Sequence, residues 1–114
     1  MDDVATQRLL RLIGLGVRGR NVVIGVEQVR EAAKSNKLAF AIVAPDASEN
    51  SRAKVVPLLN ARRVRFVEGP TAAQLGAAVG RMQTAAVGII DHHLANGVRK
   101  VVDASAGETP REGV

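Results

Sequence analysis

Cysteine, tryptophan and tyrosine are all absent from this chain of 114 residues. Without cysteine there is no disulfide scaffold, no thiol nucleophile and no cysteine-ligated metal. The only aromatic residues are Phe40 and Phe66, each inside an apolar run. Many single-strand binders stack bases on aromatic platforms, and that device is missing here. Histidine is confined to the neighbours His92 and His93. That leaves no third imidazole for a metal and no Ser, His and acid set for a hydrolase. No apolar run approaches the ~20 residues of a membrane span, and Met1-Asp2-Asp3 is acidic where a secretory or mitochondrial leader is basic. The expectation is a soluble cytoplasmic protein with no cofactor, no metal and no membrane partner.

The chain is 46% apolar and 24% charged, which suits one compact domain that buries roughly two-thirds of its unfolded surface. We place that domain at residues 1–104 and expect a polar, disordered tail at 105–114. The net charge is +5 at pH 7, unevenly spread. Arg8 to Arg65 holds twelve basic and four acidic residues, a local +8, whereas Asp91 to Val114 holds three basic and four acidic. Such a field argues for polyanion partners, nucleic acid first and acidic membrane second.

Apolar spacing predicts a first helix over residues 4–18, with Ala5, Leu9, Leu12, Ile13 and Gly16 on one stripe. Val22-Val23-Ile24 reads as a short strand ended by Gly25, and a second helix runs from Val26 to about Asn36. Leu38 to Ala44 is apolar on both faces, as in a central strand covered on two sides. A capping-rich loop, Pro45 to Asn50, precedes a third helix from Ser51 to about Arg62, in which Pro57 forces either a kink or an irregular first half. Val64 to Val67 is a third strand. Thr71-Ala72-Ala73-Gln74 has capping-box spacing and opens a fourth helix to about Val79. Ala86 to Ile90 and Asp91 to Asp103 are the last strand and helix. Alternating helices and strands imply an α/β fold, a three-layer α/β/α sandwich around a small mixed sheet of about four strands.

Gly14-Leu15-Gly16-Val17-Arg18-Gly19 spells G-x-G-x-x-G. A dinucleotide fingerprint needs a strand before it, a helix after it and a carboxylate about twenty residues on. Here a helix precedes, a strand follows and residues 34–40 contain no acid, so these glycines serve helix packing and helix exit. Asp91 beside His92 and His93 caps the last helix in preference to binding metal. Gly25 is of more interest. A helix start offers free N–H groups and a positive dipole end to phosphate or a base edge, and glycine permits close approach. Arg18 and Arg20 upstream, with Arg30 and Lys34 on the helix, are expected to steer phosphates toward that tip.

Four segments carry a resemblance: Leu9 to Arg20, Val22 to Gly25, Ala44 to Asn50, and Leu75 to Arg81. In this order and spacing they resemble the signatures of the ribosomal protein seven-Ae family of kink-turn RNA-binding proteins, most closely its bacterial ribosome-associated branch. The resemblance spans about Val4 to Val102. It implies an RNA surface formed by the start of the second helix and the loop after the fourth. The family's G-x-N-E-x-x-K segment falls here on Gly25, with Glu27 at the asparagine, Gln28 at the glutamate and Glu31 at the lysine, so only the glycine is kept. Arg81-Met82-Gln83-Thr84 matches the second contact, where Met82 would cover an extruded nucleotide.

The implied function is non-catalytic binding of structured RNA, ribosomal or kink-turn-like, by a protein that is monomeric when free. RNA-binding roles fall to Arg18, Arg20, Gly25, Glu27, Gln28, Arg30, Glu31, Lys34, Arg81 and Met82. The alternative is a protein-interaction module on the same fold, which Glu27 and Glu31 favour and the +8 middle opposes. Nothing in the sequence supplies the nucleophile, acid–base pair or metal of an enzyme.

Overall fold

The computed structural model describes residues 1–107. Five helices alternate with four strands: α1 (Asp3–Arg18), β1 (Val22–Ile24), α2 (Val26–Lys34), β2 (Phe40–Val43), α3 (Glu49–Ala61), β3 (Phe66–Glu68), α4 (Ala72–Val79), β4 (Ala86–Ile89) and α5 (His92–Gly107). The sheet order is β1-β4-β2-β3. β2 and β3 are parallel, and β4 runs antiparallel to both β1 and β2. The sheet is therefore mixed, as expected.

Side chains alternate across β2 and divide the core. Phe40 and Ile42 pack with Leu9, Ile13, Leu75, Val79 and Val98 of α1, α4 and α5. Ala41 and Val43 face Val29, Ala33, Val55 and Leu59 of α2 and α3. Period-two alternation thus gives one short strand two hydrophobic partners, and this makes the third layer.

Local chemistry sets the helix ends. Asp2 accepts from the Ala5 amide at 2.8 Å and Ser48 accepts from the Ser51 amide at 3.1 Å, so α3 starts at Glu49, earlier than the apolar pattern indicated. The capping box at Thr71 and Gln74 is present in both directions. Asp91 accepts from the Leu94 amide at 2.8 Å, the capping role read from the sequence. α3 continues through Pro57. Pro57 and Ala53 are both exposed, so the Ala53 carbonyl that loses its helical donor faces water. α5 extends to Gly107, past the expected end at Asp103. Of the expected polar tail, residues 108–114 lie outside the described residues.

β1, β2 and β3 all point the same way, so the molecule has two distinct ends. At one end lie Gly25, the 44–48 loop and the approach to β4; at the other lie the three turns that lead from α1, α2 and α3 into β1, β2 and β3.

Candidate nucleic-acid interface

Gly25 is the N-cap of α2, with φ 93° and ψ 163°, and no side chain caps the helix start. Its backbone sits where essentially only glycine is comfortable. A Cβ placed there would meet nothing within 4 Å, so the tip is open and glycine is required by conformation, not by crowding. The Gly25 amide donates to the Ala86 carbonyl at 2.9 Å. The Thr84 hydroxyl donates to that same carbonyl at 3.3 Å. One carbonyl therefore joins the α2 start to the loop leading into β4, the two segments that the family resemblance implies act together.

Residues 80–85 fold back along α4. The Arg81 amide donates to the Gly76 carbonyl at 2.7 Å, and the Thr84 amide to the Ala72 carbonyl at 3.1 Å. Gly76 makes this possible, since a Cβ there would lie 2.5 Å from the Gln83 Cα and 2.8 Å from the Met82 carbonyl carbon. The loop is pinned, and yet it presents Met82 at 94% exposure. An apolar side chain held fully in water on a fixed backbone gains nothing for folding.

The remaining expected residues divide. Glu27 is exposed at the first turn of α2. Gln28 turns back, its Oε1 accepting from the Ile24 amide at 2.9 Å, which leaves the side-chain NH2 group for a ligand. Gln28 and Glu31 border a groove of about 440 Å³ between α2 and edge strand β1. Arg18 lines another groove of about 440 Å³ with Arg11 and Gly80, the residue before Arg81. It is thus brought to the loop and not to the α2 tip.

Arg20, Arg30 and Lys34 do not converge on Gly25, and the expected basic tip is not formed. Asn21 accepts from the Ile90 amide at the far end of β1, whereas Gly25 pairs with Ala86 at the near end. Arg20 is therefore separated from Gly25 by the strand, at least ~13 Å at ~3.3 Å per residue. Arg30 is held by α3, donating to the Lys54 carbonyl at 2.5 Å. Lys34 ends α2, ~12 Å from its start at 1.5 Å per residue. The topology brings Glu27, Asp46, Glu49 and Glu68 to the same end of the sheet as Gly25, with Arg52. Arg52 and Glu68 pair with each other. The hydrogen bond from Arg52 holds the Glu68 carboxyl below its ordinary range.

The Pro45–Asn50 loop also belongs to this face. Asp46 accepts from the Ala72 amide at 2.8 Å, and Asp46, Ser48 and Ser51 face Gln83, Thr84 and Ala85 across a cleft of about 320 Å³. The signal is the segment itself, which is rich in capping residues and is one of the four that carry the resemblance, yet supplies no residue to the expected site. Among the described residues no three His, Asp or Glu side chains are grouped to hold a metal, and no helix is long and apolar enough to cross a membrane.

Two solved structures share the fold. A protein of unknown function from Bacillus halodurans is 23% identical with a TM-score of 0.78, over 84% of this chain and 97% of that one. The 15.5 kD RNA-binding protein of Giardia lamblia is 20% identical with a TM-score of 0.79, over 96% of this chain and 93% of that one. No curated protein matches. The model of the ribosomal protein L7Ae/L30e/S12e/Gadd45 family matches residues 7–102. With nearly the whole α/β/α sandwich inside that match, the chain belongs to the L7Ae/L30e/S12e/Gadd45 family.

Proposed function

We propose that this protein binds structured RNA, ribosomal or kink-turn-like, without catalysing a reaction, and that residues 1–104 act as one monomeric cytoplasmic RNA-binding domain. Family membership supports RNA binding, as does the likeness to an RNA-binding protein of Giardia lamblia. The observation that carries the choice of face is Met82, exposed at 94% on a loop whose backbone is fixed to α4 and, through the Ala86 carbonyl, to the α2 start.

In this reading Met82 covers an unstacked nucleotide, the apolar contact that a chain without exposed aromatics has left to offer. Glu27 accepts from base amino groups, and the Gln28 NH2 group donates to base acceptors. Arg18 and Arg81 hold phosphates beside the loop. Gly25 lets the RNA backbone approach the open amides of α2.

A second reading is favoured by one observation, the four carboxylates Glu27, Asp46, Glu49 and Glu68 at the Gly25 end of the sheet: a protein-interaction face for a basic partner. Sequencing of RNA crosslinked to the protein in cells separates the two. Structured RNA recovered with the wild type and lost with Arg81→Glu/Met82→Ala supports the first reading. Equal recovery from both proteins moves the RNA to another face. A basic polypeptide in place of RNA supports the second.

A further inference from the structure

The positive charge displaced from the α2 tip is concentrated at the opposite end of the sheet. Each of α1, α2 and α3 leaves its last turn through the same motif. The Arg20, Asn36 and Arg63 amides donate to Val17, Ala33 and Asn60, and the next amides, of Asn21, Lys37 and Val64, reach back to Gly16, Ala32 and Leu59. The residue at the crest is left-handed in all three, with φ 58° at Arg20, 60° at Asn36 and 58° at Arg63. Glycine is the usual occupant of that position and asparagine the tolerated one; arginine has no conformational reason to be there.

Residues 19–21, 34–39 and 62–65 contain Arg20, Lys34, Lys37, Arg62, Arg63 and Arg65, and no carboxylate. Arg65 is engaged by Asp103 and lies over the Phe40 ring at 5.6 Å. Arg62 reaches Asn36 at 3.4 Å, tying two turns together. The side chains of Arg20, Lys34, Lys37 and Arg63 make no hydrogen bond or ion pair among the described residues. Three helix C-termini supply only about −1.5 charge in total, so complementing the helix dipoles does not use up these cations. Even with Glu31, Asp91 and Asp103 counted against the six, about 1.5 positive charges remain.

From the sheet order, the turns before β1, β2 and β3 are spread over about 14 Å, three strand spacings. A nucleic-acid strand places a charge every ~3.4 Å along a duplex axis, so such a rim spans about four phosphates. We propose that this rim is a second RNA-backbone site, which anchors a helical segment at the end of the sheet opposite Gly25. The protein then bridges two RNA segments: the loop end recognises a local structure and the rim supplies most of the salt-dependent affinity. This rests on the RNA-binding reading above, but on different residues.

The test uses the full chain and a plain A-form RNA hairpin with no kink or bulge, titrated between ~50 and ~200 mM salt. Arg20→Gly/Lys37→Gln/Arg63→Gly removes three charges and puts glycine where φ is left-handed, so the thermal midpoint should hold or rise. The salt slope should fall by two to three, making the affinity loss across that range about fortyfold smaller than for the wild type. Met82→Ala should leave this slope unchanged. An unaltered slope in a folded triple variant overturns the proposal, and so does loss of binding to phosphatidylserine vesicles with no change toward RNA. A lowered slope combined with normal crosslinking of Arg81→Glu/Met82→Ala would sustain the rim and reject the loop face.

Discussion

Gly76→Ala is the substitution that asks most directly whether the recognition loop is held by the fold. A methyl at Gly76 would sit 2.5 Å from the Gln83 Cα and 2.6 Å from its amide nitrogen. Both are backbone atoms that no rotamer change can move. The loop must lift, straining or breaking the bonds from Arg81 to Gly76 and from Thr84 to Ala72. Two such bonds are worth ~2 kcal/mol, or about 1–3 kcal/mol if the methyl is forced in without release. Alanine returns ~1 kcal/mol of helix propensity, so the net cost is about 0–2 kcal/mol against the wild type and about 1–3 kcal/mol against a glycine-to-alanine change that meets no clash. The thermal midpoint should therefore lie roughly 5–15 °C below that of such a control in a domain of this size. Gly14→Ala is the matched control, because its Cβ meets only the Ala78 carbonyl oxygen at an ordinary 3.5 Å; it should be neutral or slightly stabilising. Far-ultraviolet circular dichroism serves as the assay, since without Trp or Tyr the usual fluorescence signal is missing. If Gly76→Ala melts with Gly14→Ala, the loop is not seated as described.

Gly25→Ala should cost about 1–3 kcal/mol from the φ of 93° alone, and a midpoint equal to the wild type would show that the turn tolerates a side chain. Pro57→Ala should raise the midpoint by roughly 10 °C, because it restores an exposed helical hydrogen bond to Ala53 and removes a residue ~3 kcal/mol poorer in helices, less ~1 kcal/mol for the freedom that the unfolded chain regains; no change would mean that the helix is already relieved by another route. Hydrogen bonds from Arg52 and Arg65 hold the carboxyls of Glu68 and Asp103 below their ordinary range. A lowered folded pKa stabilises above the unfolded pKa, and the gain is lost as pH falls through the folded one. Thermal midpoints should therefore decline in acid, and less steeply in Glu68→Gln/Asp103→Asn. Both pairs are exposed and the difference should shrink in high salt; identical acid limbs in low salt would contradict the pairing.

The fold was legible because the signals were local and mutually consistent. Phe40 to Val43 is apolar on both faces, which required helices on two sides, and the Thr71–Gln74 capping box marked its helix start directly. The site was half legible. Gly25 and Met82 could be paired because the family resemblance linked their segments. Basic residues close to Gly25 in sequence were expected to be close in space, and that inference failed at β1. A strand of three residues suffices to carry Arg20 to the other end of the molecule, and α2 carries Lys34 there too. Arg30 sits on the face turned to α3, where it finds the Lys54 carbonyl. What the sequence did contain was an Arg or Lys at every helix-to-strand turn, a pattern that becomes a rim only when β1, β2 and β3 are known to point the same way.

Backbone amide NMR of the labelled protein, titrated with a kink-turn RNA hairpin, tests the central claim most directly. The expected result is that the largest shift changes fall on Gly25 to Gln28 and on Arg81 to Thr84, with a second set at Arg20, Lys37 and Arg63 that fades as salt is raised. Amides of the α2 start and the Met82 loop that stay unmoved at saturating RNA would contradict it.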